Sequence, residues 1–127
     1  MAEELQSAVR RLFDAFDKLD FDATREMIGS EPQGVDELSR RWMRSRDDLV
    51  TYLRQLEPVL SNVRSELTDV DERVLDGVGI VTCWLEQDYS LEGEPQHVSA
   101  PTTVLLRREG GEWKVVLLHT IPLPEQS

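Results

Sequence analysis

An α+β domain, with helices first and a run of antiparallel strands after them, is the fold class this chain predicts. Three observations carry it. Leu5, Val9, Leu12, Phe16 and Leu19 recur at spacings of four, three, four and three, the apolar stripe of an amphipathic helix. Beyond residue 61 the period changes from 3.6 to 2 and β-branched residues accumulate. Paired turn signals then punctuate that second half at Asp76-Gly77, Glu92-Gly93 and Gly110-Gly111.

The first helix covers the Leu5 to Leu19 stripe, with Phe13 beside it. Asp20 and Asp22 are capping residues for a second, shorter helix reaching about Ile28, and Gly29-Ser30-Glu31-Pro32-Gln33-Gly34 reads as a stop and a loop. From Val35 to Met43 no period dominates, so this segment reads as an irregular turn of helix or a short strand. Ser45 with Asp48 three residues on resembles a capping arrangement, and Leu49, Leu53, Leu56 and Leu60 form a third stripe. Pro58 interrupts it, so the helix should end around Leu56. Four strands are expected at 63–70, from Glu72 or Val74 to Leu91, at 97–108 and at 112–121. The polar residues after Pro124 should lie beyond the ordered domain.

At 127 residues the chain is expected to be one domain, residues 1–127, large enough for a hydrophobic core without staples. Cys83 is the only cysteine, so neither an intramolecular disulfide nor a cysteine-rich zinc site can form, and a cytoplasmic location is the default. The acidic start Met1-Ala2-Glu3-Glu4 lacks a cationic region followed by an apolar one, and no long apolar run occurs, which disfavours secretion and membrane association. A net charge of -11 repels phosphate backbones, so nucleic acid is not an expected partner. The one basic cluster, Arg40, Arg41, Arg44 and Arg46, is bounded by Asp36, Glu37, Asp47 and Asp48; it reads as a locally neutralised face or as a receptor for a small anion. With two histidines and no ligand-spaced carboxylates, no metal site is expected, and nothing in the sequence calls for a cofactor.

The order of elements is accompanied by two local patterns. Phe13-Asp14-Ala15-Phe16-Asp17-Lys18-Leu19-Asp20 closes the first helix, and Arg107 to His119, with Trp113 at the start of the last strand and His119 six residues later, closes the sheet. Together they resemble the SnoaL-like, ketosteroid-isomerase-like branch of the nuclear transport factor 2-like superfamily. That resemblance implies a cystatin-like cone, in which N-terminal helices pack in the concave face of a strongly curved, mainly antiparallel sheet. It also implies an apolar cavity between helix 1 and the sheet, and a homodimer formed through the sheet. It does not imply one activity, because members include isomerases, cyclases, hydrolases and accessory modules. The chain departs from the steroid isomerases in one respect: their helix 1 tyrosine is absent here, and the only tyrosines are Tyr52 and Tyr89.

Within that frame His119 is the candidate catalytic residue, since imidazole exchanges protons near neutrality and strict alternation from Trp113 places both rings on one cavity wall. A histidine that is simply hydrogen-bonded in the core is the alternative. Trp113 and Trp84 are candidates to stack on a flat ligand or to fill the core, and Glu86, with Asp88 on the same face as Trp84, is a candidate base or a hydrated carboxylate at the strand end. Thr103 is a candidate hydrogen-bonding contact, and Asp36 and Trp42 are candidates to close the cavity mouth, Asp36 equally a turn former. Cys83 with His97 or His119 would make a nucleophile and base, but no glycine-rich elbow accompanies it. The reading is a domain that binds a small organic ligand, with its status as an acid–base enzyme open. The alternative is a non-catalytic dimerisation or accessory module without an open pocket.

Overall fold

The computed structural model describes residues 2–124, with side chains from Leu5 onward. Three helices, α1 (Ala2–Asp17), α2 (Phe21–Glu26) and α3 (Arg46–Leu56), accompany five strands, β1 (Ile28–Asp36), β2 (Leu60–Leu75), β3 (Val78–Leu91), β4 (Glu94–Glu109) and β5 (Glu112–Thr120). The strands form one sheet in the order β1-β5-β4-β3-β2, antiparallel except where β1 pairs parallel with β5. The α+β class predicted from the change of period is the fold observed, and the expectation about the residues after Pro124 falls outside the described residues.

Local chemistry sets the boundaries. Asp20 caps α2 by accepting from the Ala23 N–H, and Ser45 caps α3 by accepting from the Asp48 N–H. Both central residues of each hairpin turn have positive φ: Asp76 and Gly77, Glu92 and Gly93, Gly110 and Gly111. This is the backbone of a two-residue turn whose twist matches the strands. β2 carries two register shifts against β3, at Ser61/Arg64 and Thr68/Asp71, and each contains a polar residue at positive φ, Asn62 and Asp69. Such bulges bend a strand, and they curl the sheet around α1.

Two corrections concern β1 and β5. The segment 29–34, expected as a loop, belongs to a strand. Its glycines and proline argue against a regular ladder, but β1 is an edge strand with an irregularity between Ile28 and Gln33, and Pro32 sits inside it, where no ladder N–H is required. Gly29 is required there by close approach, since a Cβ would lie 3.0 Å from the Lys114 Cβ. The bulged segment is tied down by Glu109, which accepts from the Ser30 N–H at 3.0 Å, the Ser30 hydroxyl at 2.9 Å and Arg107 at 2.7 Å. The Arg107 guanidinium, followed by the Ser30 donors, lowers the Glu109 carboxyl to about 2.

The second correction is a bulge in β5. Leu105 pairs with Leu117 but Leu106 pairs with Val115, so Val116 is an extra residue and the alternation of faces changes phase across it. Before the bulge Trp113 and Val115 face α1; after it Leu118 and Thr120 do, opposite Val104 and Thr102. Leu117 and His119 therefore point to the convex side.

Two buried clusters hold the helices in the concave face. Leu5, Ala8, Val9, Leu12 and Phe13 of α1 meet Val81, Leu85, Val104, Leu106 and Val115. Tyr52, Leu53 and Leu56 of α3 meet Phe21, Met43, Leu60, Val63, Tyr89, Val98 and Ala100. Complete burial of an aliphatic side chain such as Leu5 or Val9 contributes about 1.5–3 kcal/mol relative to exposure. The tightest approach of α1 to the sheet is over Gly79, where an added Cβ would stand 2.5 Å from the Leu5 Cδ1 and 3.3 Å from the Trp113 ring. Leu5 is fully buried, so relief of that contact has to come from a shift within the packed core. Gly79→Ala is expected to lower stability by about 1–3 kcal/mol through overpacking, measured by chemical denaturation; a variant as stable as the parent would show that α1 can slide on the sheet.

Candidate functional site

The concave face leaves a cavity of about 110 Å³ between α1, β1, α3 and the sheet. Its walls are largely apolar, from Leu12, Phe13 and Phe16 of α1, Leu49 and Leu53 of α3, and Leu85, Val98 and Leu118 of the sheet. One end is polar. There Asp36 closes β1, its carboxylate accepts from the Leu38 N–H at 3.0 Å and the Ser39 N–H at 2.8 Å, and this turn sends the chain back so that Met43 pairs with Gly34. The same carboxylate accepts the Tyr52 hydroxyl, 2.8 Å from each oxygen. Beside it, the Tyr89 hydroxyl donates to Glu37 Oε1. Tyr52 arrives from α3 and Tyr89 from β3, so two phenol–carboxylate pairs converge from three parts of the chain.

Burial raises the pKa of both phenols, and the partner carboxylates raise them further: Asp36 at Tyr52, Glu37 at Tyr89. A phenolate there would be desolvated and placed against negative charge, so both tyrosines stay protonated as donors through the physiological range.

Among the residues singled out from the sequence, Asp36 lines the cavity. Trp113 faces the concave side but packs on the α1 core, under the Arg108 guanidinium at 4.6 Å, and does not line the cavity. Its buried indole Nε1 has no hydrogen-bond partner among the described residues. Trp84, Glu86, Thr103 and His119 share the convex face. The register pairs Trp84 with Pro101, Glu86 with Ser99, and Thr103 with both Thr82 and His119, all alternating with the buried Val81, Cys83, Leu85, Ala100, Thr102 and Val104. The expectation of one wall bearing Trp113 and His119 is overturned by the Val116 bulge: six residues is a multiple of two only on an unbroken strand. Trp42 is exposed beyond the sheet, its ring 5.9 Å from that of His119 and 5.6 Å from the Arg44 guanidinium.

Other polar groups are engaged elsewhere. Glu86 and Asp88 flank His97 on the surface, 3.2 and 2.7 Å from its two ring nitrogens, and the Asp88 hydrogen bond leads in raising the imidazole pKa. Arg46 donates to the carbonyls of Ile28 at 2.7 Å and Arg25 at 2.9 Å, so this member of the arginine cluster pins α3 to the end of α2. Sequence reasoning missed Tyr52, Tyr89 and Glu37. The available signal for Tyr52 was its position one residue before Leu53 on the third stripe, and for Tyr89 its two-residue periodicity with Leu85.

Among the described residues no helix is long and apolar enough to cross a membrane. The family model for the SnoaL-like domain matches residues 5–120. No curated protein matches the chain by sequence. Similar solved structures include a candidate dehydratase of the NTF2-like family from Streptomyces avermitilis, with TM-score 0.89 and 17% identity over 97% of this chain and 96% of that one. A ketosteroid isomerase-like protein from Erwinia carotovora atroseptica gives 0.81 and 15% over 97% and 96%. The CaMKII hub of S. rosetta gives 0.81 and 14% over 95% of each chain. At these identities the likeness is one of fold.

Tyr52 and Tyr89 are the only tyrosines, so ultraviolet phenolate absorbance reads these two alone. A pKa raised in the folded state adds stability in full below the unfolded value near 10 and loses it as pH climbs above that value. Alkaline titration is expected to show no phenolate near pH 10 while the protein is folded, and both phenolates together with unfolding at higher pH. Stepwise ionisation near pH 10 with the circular dichroism unchanged would refute the paired, buried phenols.

Proposed function

The chain belongs to the SnoaL-like domain family of the nuclear transport factor 2-like superfamily, and from that premise we propose that it binds a small, largely apolar organic molecule in the concave cavity. The supporting observation is the coincidence of an apolar chamber with one convergent polar end, the usual character of a small-molecule site. A cavity of about 110 Å³ is of the order of the ~150 Å³ engineered cavity that takes up benzene, which points to a ligand of about one ring. The same chamber weighs against a closed accessory module.

For chemistry inside this cavity, the proton-transfer groups are the carboxylates of Asp36 and Glu37, oriented by Tyr52 and Tyr89. His119 is on the wrong face to reach a ligand there. Its neighbours Thr103 and Trp42 place it in a surface cluster instead. Trp84, Glu86 and Thr103 are likewise reassigned from ligand contacts to the convex face.

That face supports a second part of the proposal, a homodimer. Ile80, Trp84, Pro101, Leu105 and Leu117 alternate outward from three adjacent strands and are partly exposed, an apolar surface that a single-layer sheet facing water does not need. Light scattering is expected to give a dimer at micromolar concentration and a monomer for Leu117→Asp. A monomeric parent protein would remove this part of the reading and leave the cavity untouched.

Toluene tests the cavity directly, because its occupancy needs no polar contact. Added to the labelled protein, it is expected to shift the methyl resonances of Leu53, Leu85, Val98 and Leu118 and to leave Leu105 and Leu117 in place. Shifts absent from the first group would overturn the proposed binding function.

A further inference from the structure

Resting on the cavity as a ligand site, we propose that the ligand it accepts carries a hydroxyl or ammonium donor on its apolar frame, and that molecules offering only an acceptor are rejected. Among the described residues four hydroxyl side chains line the cavity: Thr24, Tyr52, Tyr89 and Thr120. Thr24 donates to the Asp20 carbonyl at 2.9 Å. Tyr52 donates to Asp36 and Tyr89 to Glu37. Thr120 and Thr102 share a 2.8 Å hydrogen bond in which either hydroxyl can donate, and Thr102 also reaches the Ala100 carbonyl at 3.1 Å.

The hydroxyl hydrogens of Thr24, Tyr52 and Tyr89 are thus committed to protein acceptors, while the lone pairs of the phenol and carboxylate oxygens at the polar end are not exhausted. Among the described residues the amides of Gln33 and Gln87 are the side-chain donors that remain; Gln33 is exposed, and Gln87 already donates one N–H to the Ser65 hydroxyl at 3.0 Å. The polar end is therefore acceptor-rich. A ligand hydroxyl or ammonium finds partners there, and a carbonyl or carboxylate meets lone pairs in a largely apolar chamber, where an unsatisfied polar group is costly. This is the opposite polarity to a site that stabilises an oxyanion, which must present donors.

Four probes of one ring size separate the outcomes: toluene, benzyl alcohol, benzylamine and benzaldehyde, each titrated calorimetrically against the intact protein. Benzyl alcohol is expected to bind about tenfold or more tightly than benzaldehyde, the ratio set by one hydrogen bond to a charged acceptor. Benzylamine distinguishes the two donor types: tighter, salt-sensitive binding of the amine identifies an ammonium ligand, and weaker binding identifies a neutral hydroxyl. Asp36→Asn keeps Oδ1 for the Leu38 and Ser39 amides and the Tyr52 hydroxyl but turns Oδ2 into an N–H2, so that an acceptor at the polar end becomes a donor. In this variant the alcohol-to-aldehyde ratio is expected to fall about tenfold. Glu37→Gln makes the same exchange at Tyr89, outside the Asp36 turn, and serves where Asp36→Asn fails to fold. Equal or preferred binding of benzaldehyde by the parent protein overturns the donor proposal and leaves the cavity reading standing if toluene binds. Failure of all four probes overturns both.

Discussion

One extra residue in β5 decides which side chains the rest of the molecule can use. Val116 interrupts the pairing between β4 and β5, so Val115 and Leu118, three apart, lie on the same face instead of opposite ones. The consequence is structural before it is functional. Trp113 and Val115 can cover the N-terminal part of α1, while Leu118 and Thr120 wall the cavity near β1 and α3. Without the bulge, Leu118 and Thr120 would face outward and Leu117 and His119 inward, putting an imidazole where the apolar wall now stands.

The polar end of the cavity follows from a second constraint, that buried polar groups must be paired. Asp36 would be a costly group to bury alone. It is held by two backbone amides of its own turn and by the Tyr52 hydroxyl, which lets α3 dock against β1 through a hydrogen bond as well as through Leu49 and Leu53. Glu37, one residue on, is fastened across the cavity to Tyr89 of β3. The two pairs therefore join the edge of the sheet, its middle and a helix around one chamber, and they raise the phenol pKa values as a by-product of that closure. Structural support and site chemistry are the same hydrogen bonds.

How much of this was legible in the sequence depends on whether a feature is local. The α1 stripe, the Ser45 cap, the stop before Pro58 and the three hairpin turns are local, and each sits within a few residues of where its chemistry placed it. β1 was not legible, because the Gly and Pro of 29–34 are loop signals, overridden by a parallel pairing to a strand about 85 residues away. The face of His119 was not legible either. A bulge is set by the partner strand's register, and nothing in Val115-Val116-Leu117 marks one of three apolar residues as supernumerary. Tyr52 and Tyr89 read as members of a helix stripe and a strand; that they find Asp36 and Glu37 depends on how the irregular segment 37–45 folds back.

The Trp113 and His119 pair makes a wider point about carrying site residues across a fold family. The spacing is present in the chain, and the family membership it suggested is correct, yet a single bulge between the two residues separates their faces. Sequence spacing transfers a site only where the register between the residues is also kept. Here the Val116 bulge leaves the cavity to groups from β1, α3 and β3, and these are acidic and phenolic rather than imidazole. Identities of 13–17% to the solved structures carry the fold alone, so the lining of the chamber has to be derived from this chain's own contacts.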